Sequence, residues 1–309
     1  MSGYDLAYVA LAVRDMDAAC GILGGDLGLE RLSLEGHAGP IPAFGVGATA
    51  VALFEVGDPF LTGDRAGVDH IAFAAEAPRA AADASGFTSD SRVGHGLSGG
   101  EQVVIPRSAT EGLATRFTTP LGLTGPSNGK VERIDHLGIA SADNQAAEAV
   151  FADRIGLSVE SRQTDMEVSI AVESFTSDKY GVIYRNRPPE PVGGLRVSFL
   201  TTGDCELEFL QNFDPNHGVE MRHGTAGTTK QDQGAIAGYV AKYGAGLHHV
   251  ALKTPDIDAT LADLGAKGRR LIDTKGRPGS RRALIGFVHP AALGGVLMHF
   301  VEREELPDA

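Results

Sequence analysis

One pattern, written four times, limits what this chain can fold into more than any other feature. Tyr8-Val9-Ala10-Leu11, His70-Ile71-Ala72-Phe73, His136-Leu137-Gly138-Ile139 and His249-Val250-Ala251-Leu252 each run ring, apolar, small, apolar. Strand side chains alternate between faces, so the ring and the small residue share one face and the two apolar residues share the other. The apolar face suits a core, which leaves the ring face for chemistry. Each opening leads into a helix-start signal and an Ala-rich stretch, at residues 14–23, 76–85, 141–156 and 254–268. Runs rich in β-branched and aromatic residues follow, punctuated by Gly or Pro. Every repeat therefore reads as strand, helix and about three strands: an α+β chain of four βαβββ modules. The third carries insertions around 161–193 and 211–245, the latter ending in the amphipathic stretch 235–246. Its polar segment 216–233 is predicted to be an exposed loop or lid.

At 309 residues the chain has room for two domains, and the Gly/Pro/Ser-rich stretch 119–130 separates the first pair of modules from the second. The expected domains are residues 1–122 and 131–309. A formal net charge of −13 opposes an extended nucleic-acid contact, and aromatics at 6% with no Trp offer no stacking platform. No apolar run approaches the ~20 residues of a membrane span. Nothing at Met1–Leu11 reads as an export signal, so the expected location is cytoplasmic. Cys20 and Cys205 are too few for a disulfide framework or a thiolate metal site.

Aligning the modules locates the chemistry. Residues 47–54 match 203–210, which sets Ala52 against Glu208 and Ala50 against Glu206; residues 105–117 match 288–300 with one insertion, which sets Arg116 against His299. The first pair thus has Tyr8, Ala52, His70 and Arg116 where the second has His136, Glu208, His249 and His299. Only the second set is a good ligand set, so the first domain is expected to be degenerate and without metal. Three imidazoles and a carboxylate suit one divalent ion among zinc, manganese, cobalt, nickel and ferrous iron. His248 is expected to face away from its neighbour His249, and His289, beside Pro290, to serve a turn.

With these residues in view, the chain resembles the vicinal oxygen chelate superfamily, whose paired βαβββ modules curl around a metal. The resemblance implies two tandem domains, each a curved, partly open mixed sheet. From His136 to Glu302 the chain is similar to methylmalonyl-CoA epimerase, through residues 134–140, 205–211, 236–273 and 287–302. Carried over, that family's ligands are again His136, Glu208, His249 and His299. The family's final-strand glutamate is His299 here, and the carboxylate base it offers near its third-module strand has no counterpart at Leu195-Arg196-Val197. The plan also resembles extradiol and 4-hydroxyphenylpyruvate dioxygenases, which pair an inert first domain with an iron-bearing second one. Those carry a carboxylate where this chain has His299, and the extradiol tyrosine is replaced within Gly286-Phe287-Val288-His289-Pro290.

The leading functional expectation is a metal-dependent isomerase, epimerase or lyase that acts on a small oxygenated acid or acyl-CoA through a stabilised enolate. An iron(II) extradiol or α-keto-acid dioxygenase and a binding protein of the bleomycin-resistance kind are the alternatives. Glu206 is the candidate base, with Glu173, Asp178, Tyr180 and Tyr184 in the inserted segment as others. Arg277, Arg281 and Arg282, in a basic cluster of an acidic chain, are the candidate anchors for an anionic substrate. Exposed sheet edges make a homodimer the expected partner arrangement.

Overall fold

A computed structural model describes residues 3–87, 92–122, 128–169, 172–179, 181–186, 190–213 and 234–304, with backbone alone for 165–169, 172–177, 183–186 and 190–193. The first module runs β1 (Leu6–Val13), α1 (Met16–Cys20), β2 (Arg31–Gly36), β3 (Gly39–Val46) and β4 (Thr49–Glu55); the second runs β5 (Gly67–Ala74), α2 (Pro78–Ala84), β6 (Arg92–His95), β7 (Glu101–Ile105) and β8 (Thr115–Thr118). The third contains β9 (Ile134–Ala140), α3 (Asn144–Glu148), β10 (Ser158–Ser169), β11 (Val172–Ser177), β12 (Gly181–Asn186), β13 (Glu190–Thr202), β14 (Cys205–Phe213) and α4 (Gly234–Tyr243). The fourth is β15 (Gly246–Lys253), α5 (Ile257–Ala266), β16 (Arg277–Pro278), β17 (Leu284–Val288) and β18 (Met298–Glu302).

These strands build two curled eight-stranded mixed sheets of the same plan, β2-β3-β4-β1-β5-β8-β7-β6 and β10-β13-β14-β9-β15-β18-β17-β16. In each, the opening strands of two modules pair antiparallel at the centre, β1 with β5 and β9 with β15, and each is flanked by the parallel last strand of its own module. The central strands carry the four repeated openings, which is how equal motifs come to equal places. The third module's first insertion is a separate hairpin, β11 with β12, between two sheet strands. Segment 216–233 lies outside the described residues.

Local chemistry fixes the helix starts. Asp15, Asp143 and Asp256 cap α1, α3 and α5 by accepting backbone N–H bonds, and α2 begins on Pro78. Helices α1 and α3 each run on into a π-helical turn, Gly21–Asp26 and Ala149–Arg154. His289 caps the short turn Pro290–Leu293 through Nδ1, which accepts the Ala291 N–H at 3.1 Å. Both cysteines are free, with Cys205 buried.

The two faces of each central strand diverge as the alternation dictates. Val9 and Leu11, Ile71 and Phe73, Leu137 and Ile139, and Val250 and Leu252 all enter one large apolar core under the helices. The inner face of the first sheet is filled by a second apolar cluster holding Tyr8, Ala10, Ala52, Phe60 and Ala72. On the second sheet the inner face carries two smaller clusters, one around Ala140 and Phe199 and the other around Ala251 and Ile285. His136, Glu208, His249 and His299, all buried, occupy the same face.

Candidate metal centre

Register puts the four candidate ligands at one level. Gly138 pairs with Glu208 on one side and His249 on the other, and Ala251 pairs with His299. In the first sheet Ala10 pairs with Ala52 and His70, and Ala72 pairs with Arg116. The four positions are therefore equivalent between sheets, and His136 reaches the same face two residues before Gly138.

The donors converge. His136 Nε2 lies 3.3 Å and His249 Nε2 3.6 Å from Glu208 Oε2, and one ring nitrogen from each of His136, His249 and His299 falls within 4.8 Å of the others. A tetrahedral ion at about 2.1 Å from each donor would hold them about 3.4 Å apart. Nε2 of His136, Nε2 of His249 and both ring nitrogens of His299 are buried without a hydrogen-bond partner. Unpaired buried nitrogens are costly, and several aimed at one point, beside a carboxylate, are what a cation would satisfy. The residues fit a divalent ion.

Electrostatics reflect how closely the four side chains crowd one another. Burial works against charge on His136, but Glu208 and Asp135 outweigh it and raise its pKa to about 9. Burial also opposes ionisation of Glu208, yet His136 and His249 hold its carboxyl well below the usual range. His299, desolvated and facing His249 and His136, is pushed well below the usual histidine value.

A supporting layer orients the ligands. Asp135 accepts from His136 Nδ1 at 2.7 Å and is itself held by Arg303 Nη2 at 2.8 and 2.9 Å. A proton fixed on Nδ1 leaves the Nε2 lone pair for a metal. His248 lines a different cavity from His249, yet the two rings touch. The β9–β15 register shifts between Leu247 and His249, making His248 the bulged residue, and its Nδ1 lies 2.9 Å from His249 Nδ1. It is placed to steady His249.

The basic cluster divides. Arg281 and Arg303 line the cavity over the four ligands, a space of about 60 Å³ walled by Leu195, Phe199 and Phe287, whereas Arg277 and Arg282 do not. Arg277 pairs with Asp273 at 3.1 Å, and Arg282 is exposed. The Arg281 guanidinium lies 3.6 Å over the Phe199 ring and grips both oxygens of Glu206, with Glu160 at 2.8 Å. Glu206 also takes Arg303 at 3.3 Å. Both its oxygens are thus committed to guanidinium groups, which corrects its reading as a free base: it anchors Arg281. Asp178 is exposed in the β11–β12 turn, and Glu173, Tyr180 and Tyr184 lie outside the residues whose side chains are described.

Comparison with known proteins decides the family. The sequence profile of the glyoxalase/bleomycin resistance protein/dioxygenase superfamily matches residues 135–287. The chain is 32% identical over 206 residues to mitochondrial methylmalonyl-CoA epimerase of Bos taurus, covering 63% of this chain and 94% of that protein. It belongs to this superfamily. The Homo sapiens epimerase is 25% identical over 186 residues, covering 60% of this chain and 82% of that protein. A triple mutant of 4-hydroxymandelate synthase from Streptomyces coelicolor shares the fold along the whole length, with a TM-score of 0.61 and 14% identity over 100% of this chain and 95% of that one.

The superfamily's vicinal oxygen chelate plan thus occurs twice in this chain, and its first copy is plugged. His70 Nδ1 meets Asp69 at 2.5 Å, His70 Nε2 faces the Tyr8 hydroxyl at 3.3 Å, and Arg116 stacks 4.5 Å over Phe60 while donating to the Phe60 carbonyl. Burial, with Arg116 nearby, depresses His70 to about 4, so it is neutral at pH 7. Asp135 and Arg303 are the residues a sequence reading passes over. The Asp-His pair, written at both 69–70 and 135–136, was the available signal for the first, and none marked the second.

Proposed function

We propose that residues 131–309 hold one divalent metal ion on His136, Glu208, His249 and His299, with residues 1–122 as a scaffold lacking a metal site. On this reading the chain is an isomerase, epimerase or lyase for a small oxygenated acid or the acyl end of a CoA thioester. The observation that carries it is the convergence of buried imidazole nitrogens of His136 and His249 on Glu208, with both ring nitrogens of His299 beside them and without any partner. Leaving such atoms unsatisfied costs about 1–3 kcal/mol apiece. Three nitrogens and one oxygen suit zinc, manganese, cobalt, nickel or ferrous iron. With His299 in place of a second carboxylate, the centre keeps one more positive charge, which favours an anionic, oxygen-donating substrate.

A bound ion supplies Lewis acidity toward a carbonyl or a vicinal oxygen pair. The protein supplies the rest. Arg281, fixed against Phe199 and Glu206, offers a directed guanidinium for a substrate carboxylate. Phe199, Phe287 and Leu195 keep water from the reacting carbon. A space of about 60 Å³ admits only the reacting end of a substrate, so an acyl-CoA would leave its nucleotide outside. The relatives named methylmalonyl-CoA epimerase support the acyl-CoA reading. The test is exchange of solvent deuterium into the carbon beside the carbonyl of methylmalonyl-CoA and of free 2-oxo acids, followed by NMR. Exchange that disappears with His136→Ala supports the proposal, and absence of metal-dependent exchange with either class counts against it.

One observation favours the dioxygenase reading as a second. Among the described residues, the cavity wall holds no carboxylate besides Glu208 and no tyrosine or lysine to take a proton. Oxygen chemistry needs open metal positions rather than a protein base. Oxygen uptake by the iron-loaded protein with an α-keto acid or catechol separates the two.

A further inference from the structure

One cleft near the metal cavity is walled by residues of both sheets' halves. It holds about 360 Å³ and opens between the loop before β5 and the start of β15, against about 60 Å³ over the four ligands. Arg65 and Arg107 reach it from the first half, and Tyr239, Tyr243, Leu247 and His248 from the second. We propose that this cleft binds a small organic carboxylate with a flat apolar body.

Charge is the first reason. The chain carries a net charge of −13, yet neither Arg65 nor Arg107 has a carboxylate partner among the described residues. Of the two acids on the wall, Asp69 is already satisfied by the Thr62 and Gly63 N–H groups and His70, and Asp64 is exposed. The wall thus carries two guanidinium and two carboxylate groups that are not paired with one another, and each guanidinium keeps its charge for an incoming anion.

Preorganisation is the second reason. Arg65 lies 3.8 Å over the Tyr243 ring and reaches the Tyr239 hydroxyl at 3.4 Å, and Arg107 donates to the Gly112 and Ala245 carbonyls at 2.7 and 2.9 Å. Each guanidinium is held in direction by at least two contacts and retains further N–H donors out of five. His248 spends Nδ1 on His249, and its Nε2 has no partner among the described residues. The lining is mainly polar, but the Tyr239 and Tyr243 rings with Leu247 and Leu297 give it one apolar side, where a flat hydrocarbon body gains contact that a bare inorganic anion would not. Since His248 and His249 are adjacent residues lining different cavities, the ligand would sit one imidazole away from the metal centre.

Benzoate is a direct probe. The chain has six tyrosines and no tryptophan, so emission from Tyr239 and Tyr243 reports on the cleft without a brighter background. The expected result is saturable binding of one benzoate per chain, unchanged in chelator-treated protein and in Arg281→Gln. Neutral benzamide, and benzoate with the Arg65→Gln/Arg107→Gln variant, should bind about tenfold or more weakly. Because Arg107 bridges the halves, Tyr243→Ala is the second variant: its side chain is exposed, and it should weaken benzoate while the melting temperature stays put. Equal binding of benzamide, loss of binding on chelation or in Arg281→Gln, or no saturable binding would each overturn the proposal. Chelation and Arg281→Gln act only on the metal cavity, so failure here is distinct from failure of the metal-site reading.

Discussion

The ring of His249 occupies the space where a side chain on Gly138 would begin, and a Cβ there would overlap its imidazole. The two residues face each other across the central antiparallel pair, β9 and β15. A glycine at this point is therefore a condition for His249 to reach the centre. Gly138→Ala should push the ring aside and abolish metal retention, with a loss of about 1–3 kcal/mol in stability from overpacking. Metal analysis together with thermal melting checks this, since mere global unfolding would move the melt far more.

Metal uptake should release a proton. His136 has its pKa raised to about 9, so in the metal-free protein it is an imidazolium at pH 7 and must be neutral to coordinate. Below pH 9 the affinity should fall about tenfold per pH unit. Calorimetry in buffers of different ionisation enthalpy should find about one proton released per ion at pH 7. The sign for stability follows from the same shift. The His136–Glu208 pairing contributes fully below the ordinary histidine value of 6.5 and is lost as pH rises through about 9. Metal-free protein should thus melt lower at pH 9.5 than at pH 7, and metal-loaded protein should not show that drop.

Arg281→Gln should raise KM for an anionic substrate by about ten- to a hundredfold, the worth of a charge-assisted hydrogen bond, and leave metal content unchanged. Glu206→Gln loosens the same guanidinium without removing it. A smaller rise in KM, with kcat nearly kept, would identify Glu206 as positioning Arg281. A collapse of kcat with KM intact would make Glu206 the base after all.

The plugged first half makes the opposite demand. Arg116, only 4% exposed, fills the place of a ligand by donating to the Phe60 carbonyl and to Gln102. Arg116→Ala leaves those acceptors unpaired and opens a void, at a cost of about 2–4 kcal/mol. Metal content should not change. Calorimetric melting and elemental analysis of one sample read both outcomes.

How much of this was written in the sequence differs by residue. The four openings carried the sheet plan, because alternation alone assigns Val9, Leu137 and Val250 to the core and His136 and His249 to the other face. Repetition supplied the register that brings Glu208 and His299 level with them. The contact between the His248 and His249 rings was not legible, since it depends on a bulge that breaks the alternation there. Nor was the Arg281–Glu206 grip, which joins residues from different modules and needs Arg281 in the left-handed backbone region, at φ 52°. Phe60 lies in the loop after β4, outside any repeated motif, so the plug it forms with Arg116 had no periodic signal.

The most direct measurement is elemental analysis of purified protein beside His136→Ala, His249→Ala and Glu208→Gln variants, each checked for folding. A single cation shared by these side chains requires about one divalent ion per chain in the wild type, and its loss from all three folded variants. A wild-type protein that takes up no divalent ion, or folded variants that keep it, would contradict a metal centre at this place.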